Sequence, residues 1–348
     1  MKPSIESSAS YLNGDADEAL AVSIGVGSSK IVRISVVVPC FNEEEVICVL
    51  VSRLRKVCSR VADDAYEIVL VDDGSRDQTW SKIANCADRD NKIVGVKLSR
   101  NHGHQLALSA GLSVARGDRI LIIDADLQDP PELLPQMVKM MDLGADVVYG
   151  RRTIRHGESA LKRLTAHTFY RLMSRMTDVV IPQDTGDFRL ISRRALDILL
   201  SMPEQHRFIR GMVSWVGFTQ KPIDYERQPR LAGETKYPLG KMIRFAVDAI
   251  TGFSIQPLRF ATHIGLIVGL LALFVLGKSL VDWIQGNTVQ GWTSIIGAIL
   301  LLGSINLFIL GIIGEYLGRL YIEAKRRPLF IIESIARSNR IERSENDL

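Results

Sequence analysis

At 348 residues, 47% hydrophobic and 24% charged, with a net charge of +4, the chain has room for one soluble domain plus a membrane portion. That balance excludes a polyanion binder acting through bulk charge and a wholly disordered chain. The four cysteines, Cys40, Cys48, Cys58 and Cys86, form no C-x-x-C pair, which argues against a zinc site and suggests reduced thiols in a cytosolic compartment.

Residues 1–30 are rich in Ser, Ala, Gly and Asp and lack the basic and uninterrupted apolar stretches of a secretory signal, so a flexible N-terminal tail is expected. From Ile31 to Pro39 a β-branched run predicts a buried strand, and residues 43–61 show helical spacing through Val46, Leu50, Leu54 and Val57. A second strand over 67–71 ends in Asp72-Asp73-Gly74-Ser75 and leads into a helix over 79–87. Strands over 93–98 and 119–123 bracket a helix over 106–115, and the last of them delivers Asp124 to its carboxyl end. This alternation predicts an α/β fold with a Rossmann-like, mostly parallel, helix-covered sheet.

Ligands of such sheets bind beyond the carboxyl ends of the strands, where Pro39 to Glu43, Asp72 with Asp73, and Asp124 to Gln128 converge. Neither a P-loop nor a G-x-G-x-x-G fingerprint competes for that crevice. Asp126 and Gln128 offer hard oxygen ligands two residues apart, suited to Mg²⁺ or Mn²⁺ completed by substrate phosphates. Such an ion makes a nucleoside diphosphate an adequate leaving group. The plainer reading is that this Asp-x-Asp caps a turn and the helix after Pro130-Pro131. Further on, Asp146 to Tyr149 is strand-like and is followed by Arg151.

Residues 237–257 form an amphipathic stretch, with Lys241, Arg244 and Asp248 on one face and Met242, Ala246, Ala249, Ile250 and Phe253 on another. It fits an interfacial helix lying on a leaflet, or an ordinary surface helix packed on the domain before it. Two apolar spans follow, 258–284 and 292–314, each long enough at ~1.5 Å per residue to cross a hydrocarbon core of ~30 Å. The connection over 285–291 has no Lys or Arg, whereas Arg259 lies at one end of the hairpin and Arg319, Lys325, Arg326 and Arg327 at the other. That asymmetry places both ends in the cytoplasm, with Trp283 and Trp292 at the far interface. The alternative is a helical hairpin buried in a soluble domain. Residues 315–348 are expected to be a cytoplasmic C-terminal tail.

The segments Val37-Val38-Pro39-Cys40-Phe41-Asn42-Glu43, Val71-Asp72-Asp73-Gly74-Ser75, Asn101-x-Gly103 with Ala107, and Asp124-Ala125-Asp126-Leu127-Gln128-Asp129-Pro130-Pro131 resemble family 2 glycosyltransferases of the GT-A fold. Gly186-Asp187-Phe188-Arg189, Gly233-Glu234-Thr235-Lys236-Tyr237 and the two spans narrow the resemblance to polyprenyl-phosphate glycosyltransferases. That subgroup holds bacterial undecaprenyl-phosphate glycosyltransferases and dolichol-phosphate mannose synthases. The resemblance covers about residues 31 to 330, so residues 31–236 are expected to be the GT-A domain.

The resemblance implies that Pro39, Asn42, Glu43, Asp72 and Asp73 surround the donor's base and ribose, that Asp124 supports the nucleotide, and that Asp126 and Gln128 meet Mg²⁺ or Mn²⁺. It places Arg151 near the phosphates and Arg230 and Lys236 at the acceptor phosphate. Asp187 is implied to orient the acceptor or take a proton, or else to pair structurally with Arg189; Asp184 is its nearest competitor. A lipid monophosphate has a second pKa of ~6, so at neutral pH it attacks largely as a dianion and needs no strong base.

The expected function is inverting transfer of a hexose, glucose first, from a UDP-sugar to undecaprenyl phosphate. The expected setting is the cytoplasmic face of a multi-pass inner-membrane protein, with no nucleic acid partner and homo-oligomers allowed. The alternatives are a GDP-mannose enzyme like the dolichol-phosphate mannose synthases and a membrane-anchored nucleotide-sugar scaffold without catalysis. A lipid-linked sugar flippase is a further one, disfavoured because two helices scarcely enclose a polar route.

Overall fold

The computed structural model describes residues 32–153, 185–226, 254, 256–285, 291–338 and 340–343. Strands β1 (Ile34–Cys40), β2 (Tyr66–Asp72), β3 (Ile93–Leu98) and β4 (Arg119–Ile122) alternate with helices α1 (Ile47–Ala62), α2 (Thr79–Arg89) and α3 (His104–Val114). After β4 come a short 3₁₀ turn at Pro131–Leu133 and α4 (Leu134–Asp142). Then follow β5 (Val147–Arg152), β6 (Thr185–Ser192), α5 (Arg193–Ser201), α6 (Ile209–Val216) and β7 (Gln220–Tyr225). Two long helices, α7 (Gln256–Ile284) and α8 (Trp292–Ala324), precede β8 (Ile332–Arg337) and β9 (Arg340–Arg343).

The strands make one nine-stranded sheet in the order β7-β5-β6-β4-β1-β2-β3-β8-β9. Its centre, β4-β1-β2-β3, is parallel, as the alternation of strand and helix predicts, while β6 and β8 add antiparallel at its two sides. All of β1 and β2 is buried, because both faces of the sheet are covered. One apolar cluster packs α1, α2 and α4 on one face; a second packs α3, α5 and α6 on the other.

Helix α3 lies unusually close to the sheet. A Cβ on Gly111 would stand 2.4 Å from Val37 Cγ1 and 2.7 Å from Val71 Cγ2, two stiff β-branched groups in the core. Gly111→Ala is therefore expected to destabilise by about 1–3 kcal/mol, the usual cost of overpacking, despite alanine's better helix propensity. Thermal unfolding of the solubilised protein checks this; a stabilised variant would contradict the close approach.

The C-terminal segment departs from the expected tail. Helix α8 continues to Ala324, and residues 332–337 pair antiparallel with β3, joining Val96 to Ile335 and Gly95 to Ala336. Lys97 Nζ adds an ion pair to Glu333 Oε1 at 2.8 Å. Phe330, Ile332 and Ile335 pack on the second cluster while Ala336 joins the first, so a short strand with a face on each core was hidden in a polar-looking stretch.

Helices α7 and α8 are long and apolar enough to cross a membrane by length and composition. Their described apolar side chains are largely bare, as at Leu266 (64% exposed), Phe274 (71%) and Leu307 (72%), which removes the buried-hairpin alternative. The expected interfacial helix falls outside the described residues, apart from Ser254 and its last two positions, which open α7.

The second helix is fastened to the sheet-bearing half. Glu323 Oε1 accepts from the Gln205 backbone N–H at 2.8 Å, and Gln205 Nε2 donates to the Arg327 carbonyl at 2.7 Å. Gln205 lies in the turn from α5 to α6, at the edge of the sheet where β1 to β4 end.

Candidate active site

The loops beyond β1 and β2 are laced together at this edge. Asn42, in a left-handed conformation (φ 55°), donates its backbone N–H to Ser75 Oγ at 3.0 Å and accepts from the Arg76 N–H through Oδ1 at 2.9 Å. The Glu43 N–H donates to Thr79 Oγ1 at 2.8 Å, and Pro39 sits buried in β1 opposite Val71. Of the adjacent acids, Asp73 is occupied: its two oxygens accept from the N–H groups of His102 (2.7 Å) and Gly103 (2.9 Å) and fix the turn into α3. Asp72 Oδ1 accepts from the Ser75 N–H at 3.2 Å, while its buried Oδ2 has no hydrogen-bond partner among the described residues. Burial raises the pKa of both carboxyls, outweighing the hydrogen bonds that lower it.

Past β4 the chain turns sharply at Leu127, which has φ 59° and a buried side chain. The Gln128 N–H donates to Asp126 Oδ1 at 3.2 Å, so Asp126 does cap its own turn, as the plainer reading holds. Gln128 and Asp129 are buried beside it. Asp129 accepts from the Tyr225 hydroxyl, which in turn accepts from Arg152 Nε at 3.2 Å.

The arginine expected at the phosphates needs correcting. Arg151 makes a two-pronged ion pair with Asp224 (2.6 and 2.8 Å) on the exposed surface of β5 and β7. Its neighbour Arg152 turns to the other face, 3.9 Å from Asp129 and 2.6 Å from where a Cβ on Gly186 would stand. Alternation along β5 is regular, in unbroken register with β7, and puts Val148, Gly150 and Arg152 on one face and Arg151 on the other; the irregular pairing with β6 carries its extra residues on β6.

Asp187, on β6, is the hub. Its side chain is 4% exposed and accepts from Arg210 Nε (2.7 Å) and Nη2 (3.3 Å), from Gln105 Nε2 (3.2 Å) and from His104 Nε2 (3.1 Å). Arg189 is not its side-chain partner: that guanidinium donates to the carbonyls of Gly186 (2.9 Å) and Asp187 (3.3 Å). Burial alone would raise the Asp187 pKa, but Arg210 and His104 overcome it and hold the carboxyl well below its usual range. A carboxylate so stabilised and so fully occupied is a poor proton acceptor.

His104, the first residue of α3, reaches from Asp187 to Asp124 Oδ1, 3.5 Å away. Desolvation opposes its charge, yet the hydrogen bond to Asp187 and the charges of Asp124 and Asp187 lift its pKa to about 9. Asp124 moves up to about 6, through burial first and then through the negative charges of Asp187, Asp129 and Asp126, with His104 opposing.

Ligand atoms of His104, Asp124 and Asp187 lie within 4.8 Å of one another, close enough to share a metal ion. Asp187, however, already accepts from a guanidinium and from Gln105 and His104. The better fit for a hard divalent cation is the oxygen-rich side of the cluster. There Asp124 Oδ1, 3.5 Å from His104 Nε2, is buried with no hydrogen-bond partner among the described residues, and Asp126 adds a carboxylate. Arg230 and Lys236, like Asp184, lie outside the described residues. The motifs did not point to His104, Gln105, Arg152 or Arg210, although His104 directly follows Asn101-x-Gly103.

Residues 35–200 match the family model for glycosyl transferase family 2, and residues 256–320 match that of the GtrB C-terminal hairpin. An uncharacterized glycosyltransferase, YkcC of Bacillus subtilis, is 45% identical over 308 residues, covering 88% of this chain and 94% of its own. A prophage bactoprenol glucosyl transferase homolog of Escherichia coli is 41% identical over 87% of this chain and 99% of its own. The SfII prophage-derived bactoprenol glucosyl transferase of Shigella flexneri is 40% identical over 88% and 99%.

Proposed function

The chain belongs to glycosyl transferase family 2, and from that premise we propose that it transfers glucose from UDP-glucose to undecaprenyl phosphate at the cytoplasmic face of the inner membrane. The observation that carries this reading is the shared edge: the acidic crevice and the foot of the apolar hairpin, latched at Gln205, lie at the same end of one sheet. A donor held at the strand ends and a lipid phosphate held at the headgroup plane would meet there. The bactoprenol glucosyl transferases support the choice of sugar and acceptor.

In the transfer, an oxygen of the lipid phosphate bonds to the anomeric carbon as the bond from that carbon to the UDP β-phosphate breaks, inverting the centre. The attacking phosphate is already largely dianionic, so no group need remove a proton. Pro39, Asn42, Glu43 and Asp72 line the donor's base and ribose, with Asp73 bracing the turn behind them. Asp124, Asp126 and Gln128 face the diphosphate, where Asp126 and Gln128 would hold Mg²⁺ or Mn²⁺. That ion, when bound, neutralises charge on the departing UDP.

Arg230 and Lys236 receive the acceptor phosphate. Asp187 is a positioning residue, orienting Arg210 and His104 rather than serving as a base. Residues 31–236 act as the catalytic domain, with β8 and β9 completing its sheet.

The test is a donor panel: purified protein, Mn²⁺ or Mg²⁺, undecaprenyl phosphate and separate radiolabelled UDP- and GDP-sugars, with butanol-extractable label as the readout. Label from UDP-glucose is expected. Label from GDP-mannose alone would transfer the reading to the mannose synthases, and no lipid label from any donor would overturn it.

A further inference from the structure

Three features stand outside the roles assigned above. One is the Ser35–Glu67–Arg116 network at the amino ends of the strands. Another is the Gln205–Glu323 latch, and the third is His104. The first is fully satisfied internally, with Glu67 accepting from Ser35 and Arg116. The second ties two elements without offering a group to a substrate. His104 has both a fixed anchor and an open side.

Resting on the proposed transfer between two phosphate-bearing substrates, we propose that His104 is a catalytic residue whose ring donates to a phosphate oxygen in the crevice and offsets its charge. The geometry around the ring supports this. Nε2 is engaged by Asp187 at 3.1 Å, with Asp124 3.5 Å away, so the ring is oriented by a carboxylate that is itself pinned by Arg210 and Gln105. The side chain is still 42% exposed, and no hydrogen bond to Nδ1 occurs among the described residues, so the second ring nitrogen is unengaged.

His104 also opens an eleven-residue helix, whose amino end favours an anion at this spot. The other cations of the cluster are committed elsewhere: Arg189 to backbone carbonyls and Arg210 to both oxygens of Asp187. The ring lies between the carboxylates of Asp187 and Asp124, with Asp73 and the Arg210 guanidinium also in its surround.

The phosphate belongs either to the departing diphosphate or to the lipid acceptor, and steady-state kinetics separate the two. His104→Gln, which keeps a neutral donor of similar size and leaves Asp187 paired with Arg210, is expected to lower kcat about 100-fold, within the range for one lost transition-state donor. Its melting temperature is expected to stay near that of the wild type. A raised KM for undecaprenyl phosphate assigns the contact to the acceptor; weakened UDP binding by calorimetry, which needs no turnover, assigns it to the diphosphate.

His104→Lys is expected to recover at least a tenth of the lost rate, which a merely structural histidine would not show. Wild-type kcat, KM and UDP affinity in His104→Gln would overturn the proposal, as would a loss that lysine fails to rescue. Either result is read against a wild type that glucosylates the lipid. A wild type that does not would overturn the transfer reading instead, and unchanged UDP affinity in His104→Gln would then overturn the contact with the diphosphate.

Discussion

Arg210→Ala is expected to destabilise the protein by about 3 kcal/mol, because it removes the strongest partner of a carboxylate whose side chain is only 4% exposed. His104 and Gln105 still donate to Asp187, which keeps the cost at the lower end of that for a broken buried pair. For a domain of this size the melting temperature should fall by roughly 6–12 °C. The pH dependence gives the loss a signature. The Asp187 pKa is depressed in the folded state, so the stabilisation is complete above the ordinary carboxyl value of ~3.9 and is lost as pH falls through the folded value. The gap between wild type and variant should therefore be constant near neutrality and shrink in acid. A gap that widened on acidification would contradict the ion pair.

Asp126→Ala should reduce glucosyl transfer by about 10³-fold or more, the several kcal/mol of charge stabilisation that a metal-bound oxygen contributes. The side chain also accepts the Gln128 N–H in its own turn, so alanine removes a structural bond as well. Asp126→Asn separates the two effects: it keeps an acceptor for that bond while removing the charge. Near-inactivity in both variants, with melting temperatures within a few degrees of wild type, is the expected pattern. Recovery in the asparagine variant would assign the loss to the turn, and full wild-type activity after exhaustive chelation would remove the metal.

The central sheet was legible because its strands are unbroken β-branched runs ending in turn residues. Val36 to Val38, Ile68 to Val71 and Ile120 to Ile123 leave little choice of face or period. Asp72, Asp124 and Asp126 could be placed at one edge for the same reason. The cluster around Asp187 was not legible, since it joins residues 82, 83 and 23 positions away from it in the chain through side chains that carry no periodic signal. Arg152 rather than Arg151 faces Asp129 because plain alternation along β5 puts it on the face of Val148 and Gly150, a choice that needs knowledge of which face carries Asp129.

The strand pairing of Val96 with Ile335 joins segments that lie far apart in the chain, with both long helices between them. Ribosomes release the whole of β1 to β7, then two greasy segments, and only afterwards the piece that shields the bare flank of β3. Until that moment the nascent domain carries an open ladder of unpaired amides, an invitation to improper association. Because residues 332–337 pair with β3, the chain returns after both long helices to the sheet it left before them.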